Sequence, residues 1–277
     1  MMSTKIAPEE NSIAFLWTLC EQADTLREQG HYPEAEQLFQ QALTHPACAD
    51  EVEWAMVAND LGILYKYMGR YDEAEPLYRR ALTILERELG ENHPDIASLY
   101  HNLGGLKHAQ GNYAQGELLA RRSVAIREAA LGAEHPDVAA DVAALAALID
   151  GQGRYEEAEA LYRRAMTIFE QAYGPEDMEI AINLNNLGAI RYYQGDYDTA
   201  EIFYDRALHL KEMHLGHKHP DVAMTLSNMG LLYKAQGRLP EAKAAFERTL
   251  AIYRETLDTG HPHLVHCEEN YANLQTM

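Results

Sequence analysis

Histidine is the side chain whose number and spacing first suggest metal chemistry, because this 277-residue sequence contains 13 of them. Four occur in His-Pro-Asp or His-Pro-His motifs, at His93, His135, His219 and His261. The motifs belong to structural repeats described below, which places neighbouring copies on the order of 10 Å apart. Metal–ligand bonds are about 2 Å long, so these histidines cannot share an ion, and we expect them to form turns and helix caps. Two denser groups, around His217 and His263, leave incidental metal binding as an alternative.

Motifs for catalysis are absent from the sequence. It has no Walker loop, dinucleotide-binding fingerprint, HExxH helix or Gly-x-Ser-x-Gly nucleophile elbow. Acidic pairs such as Glu156 and Glu157 are predicted to be exposed, and exposure provides no burial to raise a carboxyl pKa for acid catalysis. We therefore predict a non-enzymatic protein that uses neither a metal nor a cofactor.

The charge balance narrows the choice of partners. Lys and Arg number 23 against 43 Asp and Glu, which gives a net charge of −20. Such a chain repels phosphate backbones and anionic headgroups, so neither nucleic acid nor a membrane is expected as a partner. Three dispersed cysteines, and an N-terminus without a basic flank or cleavage site, favour a reducing, cytoplasmic location.

An internal repeat organises almost the whole chain. A Gly-x-Tyr-x-x-Ala pattern recurs with spacings of 39 residues and then 42, and its glycines are Gly30, Gly69, Gly111, Gly153, Gly195 and Gly237. Apolar residues follow helical periodicity twice in each period, so every repeat is predicted to be a hairpin of a helix A and a helix B. Helix A is expected to begin at the Pro-Asp pair, with Asp as its cap, and to end at the glycine in a left-handed conformation.

Small residues recur where the two helices of a hairpin must approach each other, as at Gly62, Gly104 and Gly230 on helix A. Bulky aromatic residues share one position of helix B, and Ala120 is the exception. A single hairpin cannot bury such faces alone, so neighbouring hairpins must stack. We expect a flexible N-terminus at 1–10, repeats at about 11–50, 52–94, 95–136, 137–178, 179–220 and 221–263, and a capping helix at 264–277. The polar residues of that last helix favour a monomer.

The series of Gly, Gly-x-Tyr, Ala and aromatic residues resembles the tetratricopeptide repeat (TPR). The 42-residue period and segments such as GRYDEAEPLYRRALTILERELGENHPDIA are similar to the kinesin light chain type of this repeat. The resemblance covers residues 11 to 277 and implies an all-α, right-handed α-solenoid whose A helices line a peptide-binding groove. The groove residues expected from it are Asn59, Lys66, Tyr67, His101, Asn102, His108, Ala143, Ala147, Asn185, Asn186, Tyr192, Tyr193, Ser227, Asn228 and Lys234.

Three asparagines occupy one equivalent position of the predicted groove: Asn102, Asn186 and Asn228. Asn is unfavourable inside a helix because its amide competes for backbone hydrogen bonds. A row of amides can both donate and accept, which suits the backbone of an extended peptide. The alternative is that these amides only bond neighbouring helices and belong to the consensus of the family.

The fourth repeat has alanines, among them Ala143 and Ala147, where its neighbours present His or Tyr. This substitution predicts a recess for a bulky apolar or aromatic anchor of the partner. Close helix packing that fills the space is the alternative.

Most acidic residues belong to the B helices and loops, but one end of the predicted groove is acidic because Glu21, Asp24 and Glu28 of the first repeat are offset only by Arg27. A partner with basic residues at one end would fit, although a solvated acidic surface explains the same pattern. Our leading hypothesis is a scaffold or adaptor that binds an extended peptide or short helix of another protein. The alternative is a ligand- or peptide-sensing regulatory protein whose superhelix becomes more compact on binding.

Overall fold

The computed structural model describes residues 12–257 and 259–275, which form thirteen α-helices, one short 3₁₀ helix at Pro46–Ala49 and no strand. The α-helices are α1 (Ile13–Glu28), α2 (Tyr32–Leu43), α3 (Glu51–Tyr67), α4 (Tyr71–Leu89), α5 (Pro94–Ala109), α6 (Tyr113–Leu131), α7 (Pro136–Asp150), α8 (Tyr155–Tyr173), α9 (Met178–Tyr193), α10 (Tyr197–Leu215), α11 (Pro220–Ala235), α12 (Leu239–Thr256) and α13 (Pro262–Gln275). The segment 1–10, for which flexibility is expected, lies outside the described residues.

The helices divide into two compact units, Met1–Ala133 and Glu134–Met277. In the first unit, α1/α2, α3/α4 and α5/α6 are hairpins, and the A helix α3 contacts the A helices α1 and α5. In the second unit, α7/α8, α9/α10 and α11/α12 are hairpins, and the A helix α9 contacts α7 and α11. The last helix, α13, packs against α11 and α12 and begins slightly before residue 264, where the capping helix is expected. The fold is an all-α repeat solenoid.

Histidine caps α5, α7 and α11, which confirms the expectation that the His-Pro motifs form helix caps. The further expectation that the Asp of the motif is the cap is wrong for these helices. Nδ1 of His93 accepts a hydrogen bond from the backbone N–H two residues later at 3.3 Å, and Nδ1 of His219 does so at 3.1 Å. The Asp of each motif lies in the first helical turn, where its negative charge is favourable at the positive end of the helix dipole. Asp177 replaces the histidine before α9 and accepts from a backbone N–H at 2.9 Å.

Each A helix is followed by a glycine in the left-handed region, as predicted. Gly30 and the five equivalent glycines have φ between 72° and 80°. After Gly69, the backbone N–H of Arg70 donates to the carbonyl of Tyr65 at 2.8 Å, which closes the helix end. A β-carbon is unfavourable at this φ, so the repeated glycine sets where helix A stops and the turn into helix B begins.

In the hairpins α3/α4, α9/α10 and α11/α12, a glycine of helix A faces an aromatic ring of helix B. A β-carbon built on Gly62 would lie 2.6 Å from the ring of Tyr78, and one on Gly230 would lie 2.8 Å from the ring of Phe246. Both rings are fully buried. In the α5/α6 hairpin the aromatic residue is replaced by Ala120, and a β-carbon on Gly104 would meet only ordinary contacts, the nearest at 3.5 Å.

Ion pairs join successive hairpins within each unit. A glutamate of one helix B contacts a basic residue near the end of the next helix A: Glu36 with Arg70, Glu75 with Lys107 and Glu201 with Arg238, each at 2.7 Å. Many acidic side chains of the B helices are therefore engaged between repeats.

Candidate functional site

The predicted groove residues lie on the A helices of the two units. In the first unit they belong to α3 and α5: Asn59, Lys66, Tyr67, His101, Asn102 and His108. In the second unit they belong to α7, α9 and α11: Ala143, Ala147, Asn185, Asn186, Tyr192, Tyr193, Ser227, Asn228 and Lys234. We call these two sets the first-unit groove and the second-unit groove.

In the first-unit groove, a chain of amides crosses from one A helix to the next. Nδ2 of Asn102 on α5 donates to Oδ1 of Asn59 on α3 at 2.8 Å. Nδ2 of Asn59 in turn donates to the Asp60 carboxylate at 3.2 Å. When Asp60 is ionised, the direction of both bonds is fixed because a carboxylate can only accept.

Asp60 carries a partly buried carboxylate near the acidic residues of the first repeat. Burial, together with the negative charge of Asp24 on α1, raises the pKa of Asp60 to about 7. The Asn59 amide and the more distant Arg27 charge act in the opposite direction and offset only part of this effect. Arg27 itself pairs with Asp24 at 3.0 Å.

Positive charge follows the same groove along a second row. Burial and the charge of Arg27 lower the pKa of Lys66, whose ammonium group lies against Gly105 of α5. Burial and the charge of Lys66 also lower the pKa of His108. Tyr67, with 59% of its surface exposed, lies beneath both Arg27 and Lys66 at centroid distances of 5.4 and 6.0 Å. The first unit thus has basic side chains, Lys66 and Arg27, close to the acidic pair Asp60 and Asp24.

The second-unit groove has a longer polar network that begins at a buried lysine. Lys211 of α10 is 1% exposed and donates to Oγ1 of Thr225 at 3.0 Å and to the backbone carbonyl of Asp221 at 3.3 Å. Thr225 donates to Oδ1 of Asn185 at 3.1 Å, and Asn228 donates to the same oxygen at 3.3 Å. Because an ammonium group can only donate, the network fixes the orientation of the Asn185 amide.

Asn186 differs from its two equivalents because the A helix before it offers no amide. The residue that corresponds to Asn59 is Ala143, which has no acceptor in its side chain. The Asn186 amide instead lies near the hydroxyl of Tyr162, a fully buried residue of α8, and offsets a small part of the rise in the Tyr162 pKa that burial causes. Both alternatives for the asparagines therefore stay open: the amides of its two equivalents do bond neighbouring helices, and each pairing uses only part of the capacity of an amide.

Tyrosines form an aromatic cluster at the C-terminal end of α9. The rings of Tyr192 and Tyr193 are 5.4 Å apart, Tyr193 stacks on Tyr155 at 6.2 Å, and Tyr192 contacts Tyr197 at 5.8 Å. Tyr193 remains 68% exposed. An exposed ring already held by a neighbour offers apolar contact area with little loss of conformational entropy.

The alanines of α7 lie half-buried on one face of that helix, at Ala143 and Ala147 and at the intervening Ala144. Asp150 follows at the end of the helix, and burial raises its pKa to about 6. The recess expected beside these alanines stays a prediction.

In the described part of the chain, no group of three or more His, Cys, Asp or Glu residues has an arrangement that could hold a metal ion. None of the described helices is both long and apolar enough to span a bilayer.

Models of the tetratricopeptide repeat match residues 16–44 and, in overlapping segments, 53–129, 95–171, 138–213, 179–255 and 221–277. The chain belongs to the tetratricopeptide repeat family. BtubC (BKLC) from P. vanneervenii has a similar structure, with a TM-score of 0.63 and 26% identity over 89% of this chain and 94% of that one. A putative kinesin light chain of Podosopora anserina with nearly identical TPR-like repeats has a TM-score of 0.57 and 23% identity, over 72% of this chain and 94% of that one. These findings confirm the kinesin light chain-like type of the repeat.

A Rap protein complexed with competence and sporulation factor also has a similar fold, with a TM-score of 0.64 and 14% identity over 95% of this TPR protein and 76% of that chain. A search of curated proteins finds no match.

Sequence reasoning overlooked Lys211 and Thr225, which orient the amides of the second-unit groove. A signal for them exists in the repeat alignment. The position of Lys211 in helix B holds Leu85 and Phe169 in two other repeats, and that of Thr225 in helix A holds Leu99 in the third repeat. The Lys211 position also holds Arg127 in the third repeat, and the Thr225 position holds Asp141 and Asn183. Polar residues therefore recur at both positions in some repeats, and their joint occurrence as Lys211 and Thr225 indicates a buried polar pair.

Proposed function

We propose that this TPR protein is a non-enzymatic scaffold or adaptor that acts as a monomer and binds an extended peptide of a partner protein along its A helices. Tetratricopeptide repeats are generally protein-interaction modules. The observation that carries the finer proposal is the set of amides that bridge successive A helices with hydrogen-bonding capacity left over. Asn228 uses one N–H on Asn185, and no partner of its Oδ1 is found among the described residues.

The orientation of these amides favours recognition of a peptide backbone. Oδ1 of Asn185 already accepts two hydrogen bonds, from Thr225 and Asn228, so its N–H groups are the part that remains to donate. Asn228 has an oxygen left to accept. A donor and an acceptor on neighbouring helices match the alternating carbonyl and N–H groups of an extended chain. Tyr193 and Tyr67 would add apolar contacts in their respective units.

The test is a random peptide library displayed on phage and selected against the full immobilised chain. Selected peptides are synthesised, and their dissociation constants are measured for wild type, for Asn228→Ala and for Asn59→Ala. For each peptide, we expect at least one of the two groove variants to raise the dissociation constant tenfold or more, with little change in melting temperature. Glu156→Ala and Lys243→Ala, on exposed faces of B helices, are the matched controls and should leave binding unchanged.

Two results would contradict the proposal: selection that yields no peptide, or peptides that respond to the helix B variants and not to the groove variants. Equal losses of binding and of melting temperature would favour asparagines that serve only to hold helices together. The regulatory alternative is tested with the same peptides by small-angle scattering, since a sensor should become more compact on binding whereas a scaffold should keep its dimensions.

A further inference from the structure

A cavity of about 160 Å³ lies between α3, α4 and α5 in the first unit. Leu85 of α4 and Leu99 of α5 contribute apolar surface, while Asn59, Asp60 and Asp95 contribute polar groups. One of these, Asn59, belongs to the first-unit groove, and Asp60 is the next residue of α3 and accepts a hydrogen bond from it. The cavity therefore adjoins the surface on which the proposed peptide would lie.

The repeat supplies an internal comparison for this cavity. Three repeats further along the chain, the position of Leu85 is held by Lys211. The position of Leu99 is likewise held by Thr225. At that second place the lysine side chain is fully buried, and its ammonium group donates to Thr225 and to the carbonyl of Asp221. Where the second unit has a lysine of its own, the first unit has two leucines and a cavity.

The Asp60 carboxylate at the cavity has no cation in direct contact, and the more distant Arg27 offsets only part of its charge. The Asp60 carboxylate accepts a hydrogen bond from Asn59, but no Lys or Arg nitrogen of the described residues lies within 4 Å of it. Its equivalents in three other repeats are the neutral Asn102, Asn186 and Asn228. A partly buried carboxylate without a cation is costly, and a cation supplied from outside would remove part of that cost.

We propose that this cavity binds the alkyl stem and ammonium group of a lysine side chain from the partner peptide. The inference rests on the proposed function and specifies one residue of its ligand. A cavity of about 150 Å³ holds a molecule the size of benzene, and the side chain of lysine has a similar number of heavy atoms. Leu85 and Leu99 contact the methylene groups, and Asp60 pairs with the ammonium group.

The direct test uses n-butylammonium as a probe, with n-butanol as the neutral control of the same shape. Binding to the full chain is followed by chemical-shift changes of backbone amides around Asn59 and Leu99. We expect the dissociation constant of butylammonium to be at least tenfold lower than that of butanol. Asp60→Asn should remove this preference, whereas Asp72→Asn, an exposed aspartate of α4, should retain it. Equal affinities for the two probes, or a preference that survives Asp60→Asn, would overturn the proposal.

A second variant fills the cavity with side chains that the second unit has at the equivalent positions. Leu85→Lys combined with Leu99→Thr transfers the Lys211 and Thr225 pair into the first unit, and it should reduce butylammonium binding at least tenfold while the chain stays folded. In library peptides, lysine→norleucine should weaken binding to wild type tenfold and leave binding to this double variant unchanged. If groove-binding peptides show no such lysine, the cavity proposal fails and the proposed function stands. If no peptide binds, the proposed function fails, and the butylammonium titration still decides the cavity.

Discussion

Replacing one glycine by alanine should have opposite effects in two neighbouring hairpins of the first unit. Gly62 on α3 and Gly104 on α5 occupy the same position of the repeat, and both lie inside a helix. Alanine is favoured over glycine in a helix interior by about 1 kcal/mol, so propensity alone would make both variants more stable. The packing around the new β-carbon decides the sign.

At Gly62 the new β-carbon would lie 2.6 Å from the ring of Tyr78, about 1 Å closer than carbon atoms approach in good packing. Tyr78 is fully buried, so relief of this overlap requires a shift of the packed ring or of the two helices. Overpacking of this kind costs about 1–3 kcal/mol, and the greater overlap here argues for the upper end. We expect Gly62→Ala to lower the free energy of unfolding by about 2 kcal/mol after the gain in propensity.

At Gly104 the nearest heavy atoms are the carbonyl oxygen of Gly116 at 3.5 Å and atoms of Ala120 at 3.6 and 3.7 Å. These are ordinary contacts, so Gly104→Ala should raise the free energy of unfolding by about 1 kcal/mol. Urea denaturation followed by circular dichroism measures both variants. In a Tyr78→Ala background, Gly62→Ala should no longer destabilise the chain. The same sign for both variants, or an effect of Gly62→Ala that persists without the ring, would refute the reasoning.

Two further predictions concern charged groups of the first unit. The pKa of Asp60 rises from 3.8 in the unfolded chain to about 7 in the fold, so wild type loses up to about 4 kcal/mol of stability as pH rises through this range. Asp60→Asn should therefore be more stable than wild type in urea denaturation, by a margin that grows from pH 5 to pH 8. The side chain of Lys107 is 8% exposed and contacts Glu75 at 2.7 Å. Lys107→Met should therefore lower the free energy of unfolding by about 2 kcal/mol. Lys243 forms an exposed pair with Glu247 at 3.8 Å, so Lys243→Met should lower the free energy of unfolding by less than about 0.5 kcal/mol. Similar losses of stability in the two variants would contradict the role of burial.

The repeat makes most of the fold readable from the sequence. Gly30, Gly69 and their equivalents set the helix ends because their φ values are positive. Glycine adopts such values at little cost, whereas other residues do not. The start of an A helix is less certain, since a His-Pro-Asp motif offers two side chains that can cap. The proline fixes the backbone at the first helical position, so the preceding histidine, as in His93, faces the free N–H groups. The period identifies the turn, whereas the geometry of the turn selects the capping residue.

The candidate site is less predictable because the partner of each groove side chain comes from another repeat. Asn102 and Asn186 are equivalent in sequence, yet one donates to Asn59 and the other lies near the hydroxyl of Tyr162. The difference follows from one residue, Ala143, which stands where the earlier hairpin has its amide. A rule for one position therefore gives the location of an asparagine but not its partner, and this is why the sequence alone leaves two alternatives for these residues.

The same reasoning explains why a repeat protein can bind selectively with a repetitive frame. The period brings Leu85 and Lys211 to equivalent places, so the shape of the surrounding helices is the same, and only the side chain that enters the space differs. Where the chain supplies a lysine, the polar groups are satisfied internally and the amides of Asn185 and Asn228 are held in one orientation. Where it supplies leucine, a cavity and an unpaired carboxylate remain for a ligand. In the proposed mode of binding, selectivity arises at positions where one repeat omits the interaction that another makes for itself.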